Sequence, residues 1–249
     1  KRVNIEAAER LLEAGIDHTN LGFYADEFGA SGIQAIDNLV QSGGTVRTAI
    51  HTIELAQGIS EAQLVIDLVN SGKLSNLRGL RNFLREVAQE LSQGQTGKYD
   101  QLREVARRAS EGHDVSLEGR AKMPDDPESG QADIVDHTSR EAIQMKTVRS
   151  GATDLRTAGD ALTRNVQSAI DQLGGAGGEI PPSGYRLIAW VRILVKDNPF
   201  SRMTRAEILD NLQGQLDNLN TLSPPDTPVG EVRVTNNRGT FSYSPVELR

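Results

Sequence analysis

Apolar positions recur at helical spacing through the first ~95 residues. Ile5, Ala8, Leu11 and Leu12 form one such face, and Gly15 supplies a stop. Ile33, Ile36, Leu39 and Val40 repeat the pattern before Ser42-Gly43-Gly44. A third run carries Val46, Ile50, Ile53 and Leu55 and ends near Gly58. Ser60 then reads as an N-cap for a helix over residues 61–70, with Leu64, Ile66, Leu68 and Val69 as its apolar surface. A further amphipathic stretch covers residues 74–91. No period links these segments, so a solenoid is not expected.

The texture changes after the polar connector Ser92-Gln93-Gly94-Gln95-Thr96-Gly97. The pattern predicts a helix over 99–110, a strand over 114–120, a turn-rich loop over 123–130, and strands over 132–135 and 141–148. A helix over 158–173 and a glycine-rich loop over 174–184 follow. Residues 185–195 are apolar and rich in β-branched and aromatic side chains, as in a buried strand. Thr204 caps a helix to about Leu219, which Pro224-Pro225 breaks. Residues 229–244 predict a hairpin turning at Asn236-Asn237-Arg238-Gly239. The expected fold class is α+β with an α/β core. A separable helical region spans 1–95, and a domain with a mixed sheet flanked by helices spans 96–249.

Composition removes several chemistries. There is no cysteine, which excludes a disulfide scaffold, a thiolate nucleophile and any cysteine-ligated metal. The four histidines are scattered, with no second one at ligand spacing from His137. The Gly174–Gly178 run lacks the Lys-Ser/Thr of a phosphate loop, and no GxSxG elbow occurs. No apolar run approaches a membrane span, and no apolar h-region follows Lys1-Arg2-Val3-Asn4-Ile5-Glu6. The chain opens without a Met, as a piece of a longer protein would. The net charge of −7 does not favour broad polyanion binding. Residues 140–205 are nevertheless basic, with 10 Lys and Arg against 6 Asp and Glu. A local phosphate-binding face is therefore open to the chain.

The informative stretch is Gln131-Ala132-Asp133-Ile134-Val135-Asp136, a turn through Arg140, then Glu141-Ala142-Ile143-Gln144-Met145-Lys146-Thr147. Two adjacent antiparallel strands would bring Asp133 near Gln144 and Lys146, which share a strand face, while Ile143 and Met145 point into the core. A carboxylate, an amide carbonyl and an ammonium then converge. Asp133 and Gln144 are hard oxygen ligands suited to Mg²⁺ or Mn²⁺, with Zn²⁺ a further candidate. Such a metal generates a nucleophile from water, and Lys146 can orient that water or stabilise the developing oxyanion. Glu104 on the preceding helix is the candidate second carboxylate, and Glu118 its rival. Arg149, Arg156 and Arg164 are candidate phosphate contacts. Plainer readings stand beside these. Asp133 can cap a turn, Lys146 and the three arginines can be solvated, and Glu104 can pair with Arg107 or Arg108.

Asp133, then Gln144-x-Lys146 on the next strand, after a helix bearing Glu104, resembles the PD-(D/E)xK restriction-endonuclease-like superfamily. Ile143-Gln144-Met145-Lys146-Thr147 is similar to the third core strand of nuclease toxins from bacterial polymorphic systems, contact-dependent growth-inhibition effectors above all. The resemblance covers about residues 96–200. Gln144 stands where an acidic residue is commoner, and Asp133 is not preceded by Pro. The resemblance implies a metal-dependent endonuclease acting on DNA, slightly favoured, or on tRNA. It implies a secreted effector working in the target-cell cytoplasm, and an immunity protein that neutralises it. Residues 1–95 would then serve passage into that cell. Two other readings are a non-catalytic adaptor on a nuclease-like scaffold and a housekeeping restriction or repair nuclease.

Overall fold

The computed structural model describes residues 4–59, 61–74, 77–117, 132–149, 151–174, 183–217, 219 and 229–249. Among them the chain is mixed α/β, with eight α-helices and six strands. Two units divide after Leu117 rather than at residue 95. The shift has a simple cause: the helix after the Gly94 connector packs back on the helices before it. No helix among the described residues is long and apolar enough to cross a membrane.

The first unit holds α1 (Ile5–Glu13), α2 (His18–Gln41), α3 (Val46–Gln57), α4 (Ala62–Asn70), α5 (Leu77–Ser92), α6 (Gly97–Ser110) and β1 (Val115–Leu117). Asn4, Asp17 and Thr45 cap the first three helices, each accepting a backbone N–H from three residues on. Helix α2 packs against α1, α3 and α4. Its first half breaks the expected pattern. Asp17 starts it well before Ile33, and Gly29 bends it with φ of 69°. Leu11, Ile33, Ile36, Ile53, Leu80, Phe83, Leu84 and Leu102 are fully buried. Asp37 is buried among them, and Arg10 clamps it with Nη2 at 2.7 Å and Nε at 3.1 Å.

The second unit contains β2 (Ile134–Asp136), β3 (Glu141–Val148), α7 (Leu155–Leu173), β4 (Arg186–Ile193), a 3-10 turn (Pro199–Arg202), α8 (Arg205–Leu212), β5 (Val229–Asn236) and β6 (Gly239–Tyr243). Strands β2 to β6 lie side by side in chain order. The outer pairs β2/β3 and β5/β6 are antiparallel, and β3/β4 and β4/β5 are parallel. Helix α7 connects β3 to β4 and packs across both. Ala158, Leu162, Val166, Ala169 and Ile170 of α7 meet Ala142, Val148, Leu187, Ala189, Val191, Val232 and Val234 of the sheet. Burying this apolar face is the main stabilising term of the unit.

Two departures from the expected elements have local causes. Helix α8 stops at Leu212 instead of continuing toward Leu219. Gly214 takes φ of 70° and donates its N–H to the Leu248 carbonyl at 2.9 Å, so the chain leaves the helical path. Strand β5 carries a bulge. Leu187 pairs with Val229 and Ile188 with Glu231, so Gly230 is the extra residue. The bulge resets the alternation. Val229, Val232 and Val234 all face the α7 side, while Glu231 and Arg233 turn to the other face with Arg186 and Trp190. There Glu231 accepts from Arg186 Nη2 at 2.7 Å and from Ser242 Oγ at 2.6 Å, and it also pairs with Arg233. Burial pushes the Glu231 carboxyl up, but hydrogen bonds from Arg233 and Ser242 and the nearby guanidinium charges outweigh it and hold it below its ordinary value.

A Cβ at Gly230 would sit 2.6 Å from Arg186 Cγ. Gly230→Ala is therefore expected to displace the Arg186 stem and destabilise the second unit by about 2 kcal/mol. Urea denaturation of the full chain checks this. An unchanged midpoint would show that the strand absorbs the methyl.

Candidate active site

The β2–β3 connection builds the site. Asp136 is fully buried, and its Oδ1 accepts the backbone N–H groups of Thr138 and Ser139 at 3.0 and 2.9 Å. Arg140 closes the turn with φ of 55°. The turn fixes the pairs Ile134–Ile143, Val135–Ala142 and Asp136–Glu141. One step further along, Asp133 faces Gln144. Its Oδ2 accepts the Met145 N–H at 2.8 Å.

Gln144 is buried, on the sheet face that also carries Ala142 and Val148 and that packs against α7. Its amide is held at both ends. The nitrogen donates to Gln172 Oε1 of α7 at 2.9 Å. The oxygen lies 3.4 Å from the Asp133 backbone nitrogen, a long contact that leaves it free to accept more. Lys146 stands two residues on, on the same face and half-buried. The strand pairing thus brings Asp133 to Gln144, with Lys146 two residues further along the Gln144 face. Ile143 and Met145 are buried on the opposite face.

The other candidates fall elsewhere. Glu104 lies on α6 in the first unit, and its carboxylate is taken by two arginines. Oε1 accepts from Arg107 Nη2 at 2.6 Å and from Arg108 Nε at 2.7 Å, and Oε2 accepts from Arg107 Nε at 3.0 Å. Burial pushes this carboxyl up, but hydrogen bonds and charge from Arg107 and Arg108 prevail and hold it below its ordinary value. Of its two sequence readings, the described structure realises the arginine pair. Glu118 lies outside the described residues. Arg156 and Arg164 are exposed on the outer side of α7, across the helix from Ala158, Leu162 and Val166. Helix α7 therefore turns these two arginines away from the sheet. Arg149 is exposed just beyond β3.

The donor chemistry fits a divalent cation in part. Asp133 and Gln144 supply two hard oxygens and one negative charge, a set that suits a Mg²⁺ or Mn²⁺ ion keeping most of its water. Among the described residues, no group of three or more His, Asp or Glu is gathered for a metal.

Two contacts around these residues were not anticipated. Gln172 aims the Gln144 amide from 28 residues away, and no local signal in the sequence marks it. His137 Nδ1 lies 2.9 Å from the Tyr185 hydroxyl, which ties the β2–β3 turn to the start of β4. Comparison with protein-family models, curated proteins and solved structures gives no match to this chain.

Glu104→Ala removes the acceptor that Arg107 and Arg108 share, and Arg108 is almost wholly buried. It is expected to cost about 3 kcal/mol, read as a lower urea midpoint. The carboxyl is depressed in the folded state, so its contribution is full above the ordinary Glu value and is lost as pH falls through the folded value. The acid side of the stability profile should flatten in Glu104→Gln. A variant of unchanged stability that loses a metal-dependent activity would instead return Glu104 to the role of ligand.

Proposed function

We propose that the chain is a metal-dependent endonuclease, the toxic part of a secreted bacterial effector, with its site on Asp133, Gln144 and Lys146. The observation that carries this is the meeting of Asp133 with Gln144 across the β2–β3 pair, with Lys146 on the same strand face as Gln144. The order of elements adds support. Along the chain α6, β1, β2, β3, α7 and β4 follow one another, with β3 and β4 parallel across the α7 crossover. That is the α-β-β-β-α-β order implied by resemblance to the restriction-endonuclease-like superfamily.

In this reading Asp133 and the Gln144 carbonyl hold Mg²⁺ or Mn²⁺. Such an ion, when bound, would supply a more acidic water and offset charge on the phosphate. Gln172 keeps the Gln144 oxygen turned toward Asp133. Lys146 orients the attacking water or stabilises charge on the phosphate oxygens. The substrate is a phosphodiester of DNA, slightly favoured, or of tRNA. The chain acts in the cytoplasm of a competing cell and is neutralised by a cognate immunity protein. That partner would be acidic where it meets the basic 140–205 stretch.

Plasmid DNA and tRNA, each incubated with the protein and Mg²⁺ or Mn²⁺, test the assignment. Asp133→Ala and Lys146→Ala are expected to lose at least about a hundredfold in cleavage rate with an unchanged circular dichroism spectrum. Full cleavage by either variant would overturn it. An intact substrate with folded wild-type protein would favour the adaptor reading.

Gln172→Leu tests the aim of the Gln144 amide. Its cleavage rate should fall at limiting metal and recover at saturating metal, because the mutation loosens one ligand without removing it. An equal loss at all metal concentrations would place Gln172 in a purely structural role.

A further inference from the structure

The first unit contains a cleft of about 850 Å³ beside the starts of α2 and α3, with α5 as another wall. That volume lies in the range that takes a small molecule. The charged groups lining it are Asp17, Arg47, His51, Glu54 and Arg81.

Both acids are engaged. Asp17 caps α2, accepting the Asn20 N–H at 2.8 Å and the Asn20 side-chain amide at 2.6 Å. Glu54 lies 3.1 Å from His51 Nδ1. Neither large cation is neutralised in this way. Among the described residues, Arg47 and Arg81 have no ion-pair partner, and the Arg81 Nε is buried with no hydrogen-bond acceptor. A buried guanidinium N–H without an acceptor is costly, and native structures seldom keep one. Arg81 also lines the cleft, so its guanidinium brings there a positive charge with no counter-ion among the described residues.

The backbone adds to the same sign. Val46, Arg47 and Thr48 of the first turn of α3 line the cleft, and that turn contains no acidic residue. Its N-terminal dipole favours negative charge at this spot. Two guanidinium groups and the first turn of a helix thus line one cleft. A planar carboxylate is satisfied by one fork, whereas a tetrahedral phosphate presents oxygens to all three.

We infer that this cleft binds a small phosphate-bearing molecule, with the phosphate held between Arg81, Arg47 and the first turn of α3. The site lies wholly in the first unit and stands whether or not the second unit cleaves nucleic acid.

The test is a titration of the full chain, labelled with ¹⁵N-arginine, with inorganic phosphate. Sodium chloride of matched ionic strength is the control. One arginine Nε–Hε resonance is expected to shift saturably with phosphate, and to disappear from the spectrum in Arg81→Met. Arg47 is exposed, so Arg47→Gln keeps the fold and should weaken phosphate binding about fivefold. The inference is overturned if no resonance saturates, if chloride produces the same shift, or if Arg47→Gln binds as the wild type does. Tighter displacement of phosphate by a short single-stranded oligonucleotide than by ribose 5-phosphate would also overturn it, in favour of a polymer site.

Discussion

The pairing of β2 with β3 decides which way Asp133, Gln144 and Lys146 face. Strand β2 has only three residues, too few to hold a register by ladder bonds alone. Carboxylates at its two ends hold it instead. Asp136 ties down the turn, and Asp133 takes the Met145 N–H. A slip of one residue would exchange the faces and set Ile143 and Met145 where Gln144 and Lys146 now stand. The side chain that braces the pair is thus the same Asp133 that the proposed site uses.

Three buried carboxylates elsewhere in the chain are met by guanidinium groups. Asp37, Glu104 and Glu231 are each buried, and each is met by one or two arginines. Position 144 is different, because the buried group there is a neutral amide met by another amide. A carboxylate at 144 would place a second negative charge in a desolvated spot beside Asp133, at considerable cost without a cation. Glutamine keeps the oxygen and avoids that repulsion. The desolvated spot beside Asp133 thereby carries no second charge.

Legibility in the sequence followed the locality of the cause. Strand β3 was readable within its bounds, because its apolar positions Ala142, Ile143, Met145 and Val148 are set between the Arg140 turn and the polar segment after Val148. The start of α2 was not, since Gly22 and Gly29 interrupt the periodic signal and the helix rests on its Asp17 cap and tertiary packing. Glu104 was ambiguous for a physical reason: arginines three and four residues on suit an ion pair as well as a carboxylate in a basic site. The meeting of Asp133 with Gln144 could be inferred from strand pairing. The grip of Gln172 on Gln144 could not, because it depends on how α7 lies across the sheet. The phase of β5 was also hidden, as Val229-Gly230-Glu231-Val232 alternates acceptably for either face until the bulge is known.

That bulge bears on how the sheet is reached during folding. Parallel strands joined across long connections must find one register among several, and their search is slow. In β5 the arrangement of Gly230 beneath the Arg186 stem gives the correct alignment a mark that misaligned pairings lack. A strand shifted by one position would push Glu231 among valines and bring a side chain against Arg186. Misaligned pairings are thereby disfavoured, and the glycine marks the register of the third parallel strand.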